Sequence, residues 1–305
     1  TPALKQAEKL GDKTGMGAAL NCIGIVHWYK GEYDTALEYY DRSLKIQEEI
    51  GDKAGMGRSL GNIGLVYWNK GEYDTALEYY NRSLKIREEI GDTRGMGDTL
   101  GNIGIVNSNR GEYDTALEYY ERSLKIREEI GDTRGMGYSL NSIGIVHRNK
   151  GEYDKALEYY DKSLKIKEEL GDKLGMGQTL SNIGSVHSNR GEYDKALEYY
   201  DKSLKIKEEL GDKRGMGYSL NSIGIVHADK GEYDKAVEHL EKSLNIQKEI
   251  GFKGLELYST IYLYLSYKHL SRDYDEQDIH SLIKDAENIE YEVNFRLYQI
   301  LDDTS

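Results

Sequence analysis

The feature that most constrains this chain is that it repeats itself every 40 residues. Gly11-Asp12-Lys13 returns as Gly51-Asp52-Lys53, Gly91-Asp92-Thr93, Gly131-Asp132-Thr133, Gly171-Asp172-Lys173 and Gly211-Asp212-Lys213, so six full copies cover 11–250. Leu4-Lys5 aligns with Leu44-Lys45, which makes 1–10 the end of a preceding, truncated copy. A degenerate seventh unit with a C-terminal capping helix is expected over 251–305. Repeats of this length build arrays, because one unit cannot bury its apolar side alone and must lean on its neighbours. A single proline, Pro2, and the lack of any Ser/Pro or Gly/Ser tract leave no place for a linker, and the 34 glycines recur at fixed positions.

Each copy reads as two helices. Tyr33, Ala36, Leu37, Tyr40 and Leu44 fall at three- and four-residue steps, an apolar helical stripe. Gly31 after Lys30 marks the end of one helix, Glu32 and Asp34 place negative charge at the start of the next, and Gly51 ends that one. Asp52 is then the expected N-cap of the following helix. The unit is a helix A over about 13–30, a tight turn, and a helix B over about 33–50. Glu38 with Arg42, and Asp41 with Lys45, stand in the favourable acid-first order for ion pairs along helix B.

Leu20, Ile23, Gly24, His27, Gly31, Tyr33, Ala36, Tyr40 and Ser43 stand at the spacing of the tetratricopeptide repeat, which the chain resembles over 11–250. Leu20 replaces the usual aromatic, His27 the usual tyrosine, and the proline expected near Glu48 is missing. The 40-residue period and the Asn-Ile-Gly signature are similar to those of spindle-orientation adaptors, kinesin light chains and the sensor segments of prokaryotic signalling ATPases and proteases. The resemblance implies an all-α fold: a right-handed α-solenoid of antiparallel helix pairs, the TPR superhelix. It also implies a protein-binding scaffold whose A helices line a concave groove.

Comparison among the copies separates scaffold from groove. Leu20, Ile23, Gly24, Val26, Ala36 and Leu44 are kept or nearly kept in all six, whereas the positions of 18, 21, 22, 25, 28 and 29 vary on one face of helix A. That face carries Trp28, Tyr29, Arg58 and Trp68 near the start, Asp98, Ile105, Tyr138 and Arg148 in the middle, and Gln178, Ser185, Tyr218 and Ile225 farther on. Aromatic anchors with occasional Arg suit a protein-binding hot spot. Asn21, Asn62, Asn102, Asn141, Asn182 and Asn221 form one file of amides, and Asn69, Asn109, Asn149 and Asn189 a second. Such amides can satisfy an extended peptide backbone, or they can bond between neighbouring helices.

Other chemistry finds little support. A formal net charge of −13 with interspersed Lys and Arg disfavours nucleic acid and an anionic membrane. Cys22 is the only cysteine, so neither an internal disulfide nor a Cys-based zinc site can form. Gly15-x-Gly17 and its copies lack the strand and the Gly-Lys-Ser/Thr ending of a phosphate loop and read as close-packing positions. His27, His147, His187 and His227 share one position without a recurring carboxylate, and the six methionines from Met16 to Met216 form a packing stripe. No nucleophile with a base can be assembled, so no enzyme activity and no cofactor are expected. With no apolar run of bilayer length and no signal peptide, a cytoplasmic setting is expected.

From Phe252 the pattern degrades, with Tyr258, Tyr262 and Tyr267 crowding the segment, and 275–301 reads as an amphipathic helix with Ile279, Leu282, Ile283, Ala286 and Ile289 on its stripe. The start at Thr1 reads as that of a fragment. The expected function is capture of a peptide or partner segment in the groove, within a larger signalling or adaptor protein. End-to-end self-association, or service as the regulatory segment of an enzyme, are the alternatives.

Overall fold

A computed structural model describes residues 2–251 and 256–273. The chain divides into two compact units, 1–159 and 160–305. The first holds α1 (Pro2–Leu10), α2 (Lys13–Tyr29), α3 (Tyr33–Ile50), α4 (Lys53–Asn69), α5 (Tyr73–Ile90), α6 (Thr93–Asn109), α7 (Tyr113–Glu129) and α8 (Thr133–Asn149). The border falls within α9 (Tyr153–Glu169), and the second unit continues with α10 (Lys173–Asn189), α11 (Tyr193–Leu210), α12 (Lys213–Asp229), α13 (Tyr233–Glu249) and α14 (Glu256–His269). No strand occurs among the described residues. The fold is all-α, a solenoid of helix pairs within each unit. The amphipathic stripe anticipated over 275–301 lies outside the described residues.

Helix boundaries follow from local chemistry. Asp12, Asp52, Asp92, Asp132, Asp172 and Asp212 each cap an A helix, the carboxylate accepting from the backbone N–H three residues on at 2.9–3.1 Å. The glycine before each Asp takes a left-handed φ between +64° and +71°, which a side chain resists. The N–H of that Asp then bonds back to the preceding helix, as Asp52 does to the Gln47 carbonyl at 2.9 Å. Two consecutive residues therefore stop one helix and start the next.

Packing is layered by repeat. In the first unit α2 packs on α3, α4 on α5 and α6 on α7, and each B helix then meets the next A helix. A Cβ on Gly24 would lie 2.6 Å from the Tyr40 ring, so the glycine is the seat of that tyrosine. Gly64 with Tyr80, and Gly104 with Tyr120, repeat the arrangement. The same Tyr40 reaches forward: with Ala36 and Leu44 it joins Leu60, Ile63 and Val66 of the next hairpin in one core. Burying each such large side chain contributes about 1.5–3 kcal/mol, and part of that core comes from the neighbouring hairpin.

Ser43 carries a second link between the helices of one pair. Its hydroxyl donates to the Gly17 carbonyl at 2.8 Å, and Ser83, Ser123, Ser203 and Ser243 do the same to Gly57, Gly97, Gly177 and Gly217. Ion pairs join successive repeats at the rim: Lys70 to Asp34, Arg110 to Asp74 and Lys150 to Asp114 in the first unit, and Lys230 to Asp194 in the second. Of the two anticipated kinds of acid-first pair, the one at the positions of Glu38 and Arg42 forms in the second unit, Glu198 with Lys202 at 2.6 Å and Glu238 with Lys242 at 2.7 Å. In the first unit the Arg42 guanidinium lies over the Tyr39 ring, 5.5 Å from its centroid, since a planar cation stacks well on an aromatic face. At the far end of the second unit, Tyr262 and Leu263 of α14 bury against Ala236, Val237 and Leu240.

Candidate functional site

In the first unit α2 touches α4, α4 touches α6, and α6 touches α8, so the A helices stand side by side as one layer. Their outer face is the variable stripe of the sequence. Ala18, Arg58, Asp98 and Tyr138 are exposed there, while the positions of 21, 25 and 28 are half-buried between neighbouring helices. The stripe is therefore two things at once, an exposed crest and a seam.

The tryptophans belong to the seam. Trp28 and Trp68 are half-buried, and each packs into the core formed by the hairpin it faces. Both indole Nε1 atoms are buried without an acceptor. What Trp28 offers outward is the Tyr29 ring set edge-on against it at 4.8 Å, and Tyr29 is 78% exposed. Tyr138 at 45% and Tyr218 at 40% are the other aromatic crests, each within its own unit.

The asparagines divide in the same way. Asn21 donates to the Ser59 hydroxyl at 3.0 Å, and Asn62 donates to the Asn21 carbonyl at 3.1 Å, so these amides tie α2 to α4. Asn221 is buried and accepts from Ser259 at 2.8 Å. Asn69 bonds back to the Leu65 carbonyl at 2.7 Å, and Asn149 accepts from the Arg148 guanidinium at 3.2 Å. Asn141 and Asn182 are half-buried, whereas Asn109 and Asn189 stand exposed. Asn102 and Asn141 line a pocket of about 420 Å³ between α6 and α8, together with Asp98, Ile105, Tyr138 and Arg127.

Arg127 belongs to a column that the A-helix stripe does not include. Gln47, Arg87, Arg127, Lys167, Lys207 and Gln247 occupy one position of helix B and reach up beneath the A helices. Gln47 donates to Ser43 and accepts from Ser59. Arg87 and Arg127 donate through Nε to Ser83 and Ser123, each at 3.2 Å. In the second unit Lys167 donates to Thr179 at 2.7 Å, and Lys207 to Ser219 at 2.8 Å and Ser181 at 3.0 Å. Burial pushes both lysines down to about 8, with the nearby Asp172 and Asp212 carboxylates opposing the shift. The exchange of Gln, Arg and Lys at a position that is otherwise always long and polar is the sequence signal for this column.

Gly15 and its copies have a use beyond helix packing. A Cβ on Gly55 would lie 2.3 Å from the capping Asp52 carboxylate and 2.8 Å from Gln47, and one on Gly95 would lie 1.8 Å from Arg87. These glycines make room for the cap and for the polar column of the preceding repeat.

The histidines are a correction to the sequence reading, because each does have a recurring carboxylate. His147 Nδ1 meets Glu152 at 2.8 Å, His187 meets Glu192 at 2.9 Å, His227 meets Glu232 at 2.9 Å, and His27 bonds Glu32 likewise. The partner is five residues on, across the A–B turn, a separation that helix periodicity does not flag. Tyr39, Tyr159 and Tyr199 stack on His27, His147 and His187 with centroids 5.3 Å apart. The pairs clip the turn, and the bond from Lys155, with that from His147 second, holds Glu152 down at about 2. No group of three or more His, Cys, Asp or Glu converges as a metal site among the described residues. None of the described helices is long and apolar enough to cross a membrane.

A tetratricopeptide-repeat family model matches residues 15–89, 95–172 and 175–249. No curated protein matches the chain in sequence. Among solved structures, the chain is similar to a signal transduction ATPase with numerous domains that has a tetratricopeptide-repeat sensor, from Pyrococcus horikoshii. The TM-score is 0.71 at 18% identity over 98% of this chain, which spans 44% of that one. It is also similar to apo RapI, with a TM-score of 0.68 at 20% identity over 88% of this chain and 99% of that one. A Rap protein complexed with Competence and Sporulation Factor gives a TM-score of 0.65 at 15% identity, covering 93% of each chain. At these identities the likeness is one of fold.

Proposed function

We propose, from the premise that this chain belongs to the tetratricopeptide-repeat family, that the variable A-helix face receives a peptide or partner segment. The observation that carries this reading is the pocket between α6 and α8, whose lining comes largely from that face: Asp98, Gly101, Asn102, Ile105, Tyr138, Asn141 and Ser142. An apolar floor from Ile105 with amide and phenol groups around it is the mixture that orients a bound chain while burying part of it. The seam residues Trp28, Trp68, Asn21 and Asn62 support the face from beneath, and Tyr29, Arg58, Tyr138, Arg148 and, in the second unit, Tyr218 are its contact residues.

A role as the recognition segment of a larger signalling or adaptor protein fits the likeness to a signal transduction ATPase with a tetratricopeptide-repeat sensor, of which the match covers 44%. The Rap protein complexed with Competence and Sporulation Factor makes a bound factor a reasonable kind of ligand. The reading is that of a non-catalytic module with no cofactor, set in the cytoplasm.

The test is selection of binders from a displayed random-peptide library, followed by measurement on Tyr138→Ala and Asn102→Ala. Both side chains are reached from the pocket, so the helical circular dichroism should persist while affinity falls about tenfold or more, as for loss of a contact residue. Selected peptides that bind both variants as well as the parent would overturn the assignment. Light scattering that grows with protein concentration, with no peptide selected, would instead favour end-to-end self-association.

A further inference from the structure

The polar column beneath the A helices varies together with the seam above it. Where helix B supplies Arg87 and Arg127, the seam position of the same copy is glycine, Gly61 and Gly101. Where helix B supplies Gln47, Lys167 or Gln247, that position is Asn21, Asn141 or Asn221, and above Lys207 it is Ser181. The geometry gives the reason. A Cβ on Gly61 would lie 3.9 Å from Arg87 Nη2, and one on Gly101 would lie 3.8 Å from Arg127 Nη2. A Cβ there would only touch the guanidinium, so what the glycine leaves clear is the room beyond it that a longer side chain would need. Glycine opens a window in helix A through which a cation from helix B reaches the outer face.

At the second window the cation lines the pocket between α6 and α8. Its solvent contact is small, since the Arg127 side chain is 11% exposed, but a carboxylate already uses it: Asp98 Oδ1 accepts from Nη2 at 3.0 Å. Asp98 itself remains 59% exposed on the crest. Arg87 and Arg94 also act on this carboxylate, and Asp132 opposes them. Desolvation by the walls of the face outweighs these cations and raises the Asp98 pKa above the usual carboxylate value. The equivalent crest positions in the other copies are Ala18, Arg58, Tyr138, Gln178 and Tyr218, so only this copy places an acid over its own window.

Resting on the reading of this face as a peptide-binding surface, we propose that the pocket over Arg127 is an acid-accepting subsite. Asp98 occupies it in the unbound protein, and the incoming segment presents an Asp or Glu side chain that takes its place. Arginine suits the exchange, because its planar fork can pass from one carboxylate to another with charge-assisted bonds throughout. Asp98 then sets a threshold. A neutral segment gains nothing by displacing it, so the pocket favours acidic ligands although the whole chain carries a net charge of −13. Arg87, 13% exposed beside Asp92 at 3.4 Å, is the same device one repeat earlier without the acid on its crest.

The experiment measures fluorescence anisotropy of a fluorescein-labelled alternating Gly-Glu peptide and its Gly-Gln isostere. The proteins are the parent, Asp98→Ala and Arg127→Gln. Both substitutions bring in residues that the array already holds at these positions, Ala18 and Gln47, so folding is expected to persist and is checked by circular dichroism. Asp98→Ala should bind the Gly-Glu peptide about tenfold more tightly than the parent does, and its preference for Gly-Glu over Gly-Gln should widen accordingly, as for one charge-assisted bond. Arg127→Gln should remove the preference for Gly-Glu. If Gly-Gln binds as well as Gly-Glu to Asp98→Ala, the acid subsite fails while the peptide surface stands. If the Gly-Glu preference survives Arg127→Gln, the acid is read elsewhere and the subsite fails. If neither peptide binds the parent or Asp98→Ala, the surface reading falls with it.

Discussion

At the scale of single residues, burial decides which polar side chains are structural. Lys167 and Lys207 sit at 2% and 5% exposure with hydroxyl partners, at the depth where Gln47 and Gln247 serve elsewhere. Both titrate near 8 in the fold, against 10.5 for an ordinary lysine. A folded pKa below the unfolded one means that the unfolded chain holds more protons between these values, so stability rises with pH across about 8 to 10.5. Replacing both lysines by Gln should raise stability at neutral pH by on the order of 2 kcal/mol per lysine. The advantage should shrink as pH climbs through the window. Urea unfolding of parent and variant across the range checks this, and the buried tyrosines cancel because both proteins share them. The two tryptophans carry the opposite lesson. Their size marks them as anchors in the sequence, yet their indole N–H groups are buried without acceptors. The exposed aromatic ring beside Trp28 belongs to Tyr29.

At the scale of the element, helix limits were legible because local chemistry sets them. An αL glycine and a capping aspartate act within five residues and need no neighbour to be read. The anticipated A and B helices agree with α2 and α3 to within a residue. Asp132 shows the size of the effect: its carboxylate accepts from Gly135 N at 3.1 Å, and Asp132→Ala should cost about 1 kcal/mol in thermal unfolding. Gly131 at φ +68° is the other half of the stop signal. The His–Glu clips were not legible, since their partners lie five residues apart across a turn. The polar column was missed for a related reason: a long cation on helix B reads as a solvated side chain until an A helix is laid over it.

At the scale of the whole molecule, the repeats divide their stability between neighbours. Gly104→Ala would place a Cβ 2.7 Å from the Tyr120 ring, an overpacking that costs about 1–3 kcal/mol. Hydrogen exchange should then quicken in α6 and α7 and in their contacts α5 and α8, while α2 and α3 keep their protection; uniform loosening of the first unit would contradict nearest-neighbour coupling. The 40-residue period, the two helices of each copy and their caps were all set by sequence alone, because each depends on near neighbours repeated six times. The period even marked the variable face, since positions three and four apart share a side of a helix. What the tertiary structure decided is how that face is used. Laying one A helix against the next drew Trp28, Trp68, Asn21 and Asn62, half-buried, into the seam and left Tyr29 and Tyr138 on the crest. It also brought Arg127 up from the helix behind to meet Asp98, 29 residues earlier in the chain. Such a meeting depends on the spacing between helices, which no local pattern of residues specifies.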